Sequence, residues 1–227
     1  MSFDNFMKIK SGIIVDVDNY TNVHLSDPIF IEYLVRFSEK GGASAFLSKN
    51  INNLNILKKN TSLPIFAEVE ENFNDIFIRK TYDDFKPIIE LGPNFIVIEV
   101  GNFEKHYDEL KSLLHKIKFN FSGQVVGKVL TKSQAIQAYK LGFDALVIEI
   151  FGECVDKEFV SEICSDINIP TIASLNSVSF EDSKDLIELG IHSFILGEDV
   201  TNPSKIIKQL TIKRFLKTIL LNLKVCV

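Results

Sequence analysis

The chain has 227 residues, Lys+Arg 25 against Asp+Glu 30, a formal net charge of −5 and 46% hydrophobic residues. This much apolar surface offsets the entropy of ordering the chain, which excludes a disordered protein, and the length accommodates one large core. Mild acidity without a basic block excludes a nucleic-acid binder, because phosphate would be repelled. In chain order, residues 1–10 lack the long apolar core of a secretory signal. No stretch reaches the roughly 18 apolar residues of a membrane span. Residues 12–17 (GIIVDV) read as a buried strand, and 27–40 as a helix with Ile31, Leu34 and Val35 on one face. An apolar run opens after Gly42, followed by a weaker helix at 50–59 and a strand at 63–69. Helix 83–91 ends at Gly92 before FIVIEV, then come helix 103–116 and strand 124–129. Helix 132–141 ends at Gly142 before ALVIEI, then come helix 156–167 and strand 169–173. Helix 180–189 ends at Gly190 before SFILGE, and Pro203 opens a last helix at 203–210.

Gly42, Gly92, Gly142 and Gly190 recur at intervals of 50, 50 and 48 residues. Each ends a helical pattern, where glycine adopts the left-handed cap that other residues resist. Eight strand–helix units of about 25 residues predict a single-domain (β/α)8 TIM barrel over residues 1–210. A doubly wound sheet is the alternative, but it would want a glycine-rich turn after the first strand, where Asp16-Val17-Asp18-Asn19 stands instead. Residues 211–227 form an extension in which Phe215, Leu216, Ile219, Leu220 and Leu223 make an apolar stripe at helical spacing. It reads either as packing on the barrel's own surface or as a contact for self-association or a protein partner. Cys154, Cys164 and Cys226 are odd in number and lack metal-like spacing, as do the four histidines. The expectation is free thiols in a reducing cytoplasm, with no zinc site and no cofactor.

The active end of such a barrel is the C-terminal end of its strands. Alternation along each strand nominates Asp16 and Asp18, Glu68 and Glu70, Glu99, Lys128, Glu149 and Glu198 for that mouth. The group is acidic. Crowded carboxylates raise one another's pKa or recruit a cation, so an acid/base pair, a divalent-metal site and merely wet strand ends are all open readings.

The texts SGIIVDV, EKGGASAF, NTSLPIFAEV, IELGPNFIVIEV, AYKLGFDALVIE, INIPTIAS and IELGIHSFILGEDVTNP, in this order and spacing, resemble the N-acetylmannosamine-6-phosphate 2-epimerase family. The resemblance implies a ribulose-phosphate-type barrel that inverts a carbon beside a carbonyl by removing and returning a proton. It also implies a lysine at the position of Glu70 and an acid/base glutamate at the position of Ser174. The family's substrate arginine falls at Leu47, and its aspartates fall at Lys128 and Glu99. Leu175 and the Gly197-Glu198 pair stand in the loops that would cradle phosphate, where a carboxylate repels a dianion. The only arginines, Arg36, Arg79 and Arg214, match none of the implied clamps. These replacements predict a retained scaffold that has lost the reaction, with sugar-phosphate binding doubtful. The alternative is a functional or rewired epimerase using Glu70 as base, Lys128 as enolate stabiliser and Glu99 beside them.

Overall fold

The computed structural model describes residues 2–18, 27–69, 80–103, 106–150, 156–175, 180–197 and 200. Eight parallel strands close into a barrel in sequence order: β1 (Ile13–Asp16), β2 (Ala45–Ser48), β3 (Ile65–Glu68), β4 (Phe95–Glu99), β5 (Gln124–Val129), β6 (Ala145–Ile150), β7 (Thr171–Leu175) and β8 (Ser193–Leu196). Helices α2 (Pro28–Lys40), α3 (Ile51–Asn60), α4 (Tyr82–Leu91), α5 (Tyr107–Asn120), α6 (Lys132–Leu141), α7 (Lys157–Asp166) and α8 (Phe180–Glu188) follow β1 to β7. The expected (β/α)8 barrel is therefore the fold. The expected helix at 203–210 and the apolar stripe at 212–223 lie outside the described residues.

Gly92, Gly142 and Gly190 have φ of 62°, 87° and 107°, and the N–H of Gly92 and Gly142 closes the last turn of α4 and α6. The 50-residue repeat is thus a repeat of left-handed helix ends. One boundary moves. The helix expected at 103–116 begins instead at Tyr107, because a 3-10 turn, Gly101–Phe103, comes first and His106 precedes α5.

The inner cluster of buried side chains shows how the barrel is filled. Ile14, Phe66, Val126 and Ile172 come from the odd strands and Leu47, Val97, Val147 and Ile195 from the even ones. The strand register pairs these sets, with Leu47 opposite Phe66 and Val97 opposite Val126. Side chains alternate with a period of two, so each layer draws four residues from alternate strands.

A helix that the sequence reading did not anticipate, α1 (Ser2–Ile9), belongs to the same inner cluster through Phe6 and Ile9. Phe6 lies 5.0 Å from Phe95, whose ring stacks on Phe66 at 4.1 Å. The Phe6 carbonyl also meets His192 Nε2 at 2.8 Å, just before β8. The helix plugs the N-terminal end of the barrel, which leaves the opposite end as the open one.

Candidate functional site

Two residues beyond the odd apolar layer, the same strands carry Asp16, Glu68, Lys128 and Ser174. Two beyond the even layer come Lys49, Glu99, Glu149 and Gly197. The candidate site is these two successive rings. Seven of the eight, all but Glu99, line a cavity of about 90 Å3 whose floor is Leu47, Val97, Val147 and Ile195. A site of this size and polarity accommodates several waters or one small group.

Its charges are interlocked. Lys128 Nζ lies 3.0 Å from Glu149 Oε1 and 3.3 Å from Glu68 Oε1, and Lys49 Nζ lies 3.8 Å from the other Glu68 oxygen. Lys128 and Glu68 are buried, with side chains 10% and 8% exposed. Burial alone would depress the Lys128 ammonium pKa. Glu68, Glu149 and Glu99 outweigh it and hold the amine firmly protonated, well above the ordinary lysine value. Glu68 likewise raises Lys49 against the opposing effect of burial. Neither amine is poised as a nucleophile or base, and both act as fixed cations.

Asp16 is the exception. Burial pushes its carboxyl up to about 7. Lys49 opposes that rise and the neighbouring Asp18 charge adds to it. It occupies both protonation states near neutral pH, the property required of a general acid or base.

Asp18 has another task. One carboxylate oxygen accepts from Ser48 Oγ at 2.7 Å, from Asn50 N at 3.0 Å and, by a short bond, from Lys49 N. The other accepts from Asn53 Nδ2 at 2.7 Å. Asn50 then caps α3 by accepting from Asn52 N and Asn53 N. Asp18 therefore clamps the turn after β2 and aims Lys49 into the mouth. Its N–H also donates to Asp16 Oδ1 at 3.0 Å.

The structure thus brings together Asp16, Glu68, Lys128, Glu149, Ser174, Leu175 and Gly197 of the predicted residues. Glu99 faces a neighbouring notch with Glu68, Lys80 and Phe103, and reaches Lys128 through its field. Leu175 is buried in the packing between strands and helices and edges the cavity. Glu70 and Glu198 lie outside the described residues, so the expected Glu70–Lys128 pair does too. Among the described residues, Lys128 is engaged by Glu68 and Glu149.

The sequence reading missed Lys49, and with it the compensation of the acidic mouth. Lys49 stands two residues beyond inward-facing Leu47, so the same alternation that nominated the acids would have found it. Among the described residues, no three His, Cys, Asp or Glu side chains converge as metal donors. No helix among them is long and apolar enough to cross a membrane.

The sequence profile of the NanE family, described as "Putative N-acetylmannosamine-6-phosphate epimerase", matches residues 31–214. Proteins of that description (as 2-epimerases) from Clostridioides difficile and Oceanobacillus iheyensis are 26% and 25% identical. The first match covers 95% of this chain and 99% of the relative, the second 89% and 97%. The solved N-acetylmannosamine-6-phosphate 2-epimerase of Clostridium perfringens superposes with a TM-score of 0.78 at 24% identity, over 91% of this chain and 94% of that one. The thiamine phosphate pyrophosphorylase of Pyrococcus furiosus shares the fold at a TM-score of 0.59 and 14% identity, over 87% and 91%.

Proposed function

This chain belongs to the N-acetylmannosamine-6-phosphate epimerase family, and from that premise we propose that it keeps the family's barrel without the family's reaction. Its rebuilt mouth binds a small polar ligand or a partner instead of epimerising a sugar phosphate. The observation that carries this reading is the commitment of both cations lining the cavity. Lys128 is held by Glu68 and Glu149, and Lys49 by Glu68. An anion pairing with Lys128 here would compete with Glu68 and Glu149 and leave the buried Glu68 carboxylate short of its closest cation, which is costly. Ser174 adds to it, because a hydroxyl cannot serve as the acid/base carboxyl that the resemblance implies at that position. The same reading takes the cytoplasm as the compartment, in keeping with the free thiol of Cys164.

A second reading, a rewired epimerase, is favoured by Asp16, whose carboxyl near 7 borders the cavity. Asp16 would take the proton from the carbon next to the carbonyl. The bonding pair would pass to the carbonyl oxygen as an enolate facing the Lys128 ammonium; water would then protonate the carbon on its opposite face, and the hydroxide left would take the proton held by Asp16.

One experiment separates the two. N-acetylmannosamine 6-phosphate is incubated with the protein in heavy water near neutrality, and the proton signal beside the carbonyl carbon is followed by NMR. The expected result is exchange no faster than in the protein-free control, with no rise in melting temperature at high sugar-phosphate concentration. Rapid exchange that disappears in Asp16→Asn would establish the rewired enzyme.

A further inference from the structure

The charges around the mouth are unevenly spread. From β2 to β6 they are interlocked, with Lys49 and Lys128 standing against Glu68 and Glu149. The remaining arc is formed by the neighbouring strands β7, β8 and β1. It brings Ser174, Gly197 and Asp16 to the same cavity. None of these is a cation, and Gly197 has no side chain to fill its place between the other two. Asp16 is 7% exposed, and its Oδ1 accepts from the N–H of Asp18 at 3.0 Å. Its Oδ2 has no hydrogen bond or ion pair among the described residues, and neither has the Ser174 hydroxyl. A buried carboxylate oxygen without a donor is costly, so the fold leaves one strong acceptor unsatisfied at the cavity wall.

We propose that this arc binds the ammonium head of a small organic cation, with Asp16 as its counter-ion and Ser174 Oγ as a second acceptor. The proposal rests on the reading of a mouth that binds without epimerising, and it names the chemical class of the ligand. Charge decides the class. The cavity wall carries three carboxylates, Asp16, Glu68 and Glu149, against two ammoniums, Lys49 and Lys128. One added positive charge balances the wall, whereas an anion would add to the excess. Both lysines are engaged by Glu68 or Glu149, so the open partner is Asp16. A charged N–H donor makes the stronger bond to a carboxylate. Volume sets the size: about 90 Å3 takes an ammonium and its first carbon atoms, and the rest of the ligand extends through the open end of the barrel. A proton competes for the same oxygen. Lys49, Asp18 and Glu68 surround Asp16, Lys128 and Glu149 lie farther round the ring, and Ser174 and Gly197 do not titrate. With the Asp16 carboxyl near 7, the cation is held at pH 8 and released as the carboxylate is protonated.

The test uses methylammonium as the probe, compared at equal ionic strength with potassium and with tetramethylammonium, which has no N–H. Saturation-transfer NMR on the full chain reads binding through the methyl protons, and potassium is added as a competitor. Saturable binding of methylammonium at pH 8 is expected, with tetramethylammonium unbound and potassium unable to displace the probe. Lowering the pH to 5.5 should weaken binding about thirtyfold, the fraction of Asp16 left ionised there. Asp16→Asn should abolish binding and Ser174→Ala should weaken it severalfold, both with a native-like thermal melt. No saturable binding at pH 8 overturns the proposal. So does binding that is as tight at pH 5.5, that survives Asp16→Asn, or that potassium or tetramethylammonium matches. The heavy-water exchange experiment keeps the two readings apart. Rapid exchange into the sugar phosphate overturns the binding-only mouth whatever methylammonium does, whereas slow exchange without methylammonium binding overturns this proposal alone.

Discussion

Asp16 and Lys128 sit on the same ring of side chains yet respond to burial in opposite ways, because one has cancelling neighbours and the other has two counter-charges in contact. Each makes a prediction. Asp16 has a folded pKa of about 7 against an ordinary 3.8, so the folded state holds a proton that the unfolded state has released. Stability from this group is therefore complete below pH 3.8 and is lost as pH rises through about 7. Urea unfolding of the native chain and of Asp16→Asn at pH 5 and pH 8 should show the variant gaining on the native protein at the higher pH, by about 1–3 kcal/mol. Lys128→Met should act differently. It leaves Glu68 and Glu149 close together in a buried site without their cation, so it should cost about 3 kcal/mol at neutral pH. Adding Glu68→Gln should return part of that loss. A Lys128→Met protein as stable as the native one in chemical denaturation would show that the pair is solvent-screened.

At the scale of elements, α1 and the β2–α3 turn are the pieces that make the barrel one-ended. α1 presses Phe6 and Ile9 into the inner cluster, where Phe6 meets Phe95. Phe6 is 6% exposed, and Phe6→Ala removes a ring from a packed interior, so a loss of about 3 kcal/mol in chemical denaturation is expected. The turn after β2 is held by Asp18 rather than by apolar packing. The backbone N–H groups of Lys49 and Asn50 and the side chains of Ser48 and Asn53 converge on one carboxylate at the end of a strand and the start of a helix. Lys49 owes its position to that clamp. An element boundary thus sets the electrostatics of the mouth.

At the scale of the molecule, the barrel divides into an apolar interior with its lower end closed and a charged rim in which Lys49 and Lys128 are paired with carboxylates. Part of the acidity at the mouth is offset, because Lys49 and Lys128 stand against Glu68 and Glu149 there. The proposed loss of epimerisation belongs to this scale. It rests on the set of pairings, and the exchange of deuterium into the sugar phosphate measures the set as a whole.

Much of this was readable in the chain. A helix ending in glycine and a strand alternating every two residues are properties of neighbouring residues, and eight such units admit one closed architecture. Two-residue steps from Ile14, Phe66, Val126 and Ile172 to Asp16, Glu68, Lys128 and Ser174 carry the strand pattern up to the site. The sequence by itself therefore determined the barrel, its open end and most of the residues at its rim. Only the tertiary structure decided that Lys128 meets Glu68 across 60 residues of chain, that Asp18 serves the next strand's turn, and that a short N-terminal helix closes the base. The reason is physical. Periodicity is local, whereas the charge state of Asp16 and the partners of Lys128 depend on distances between groups that the chain brings together only when the barrel closes.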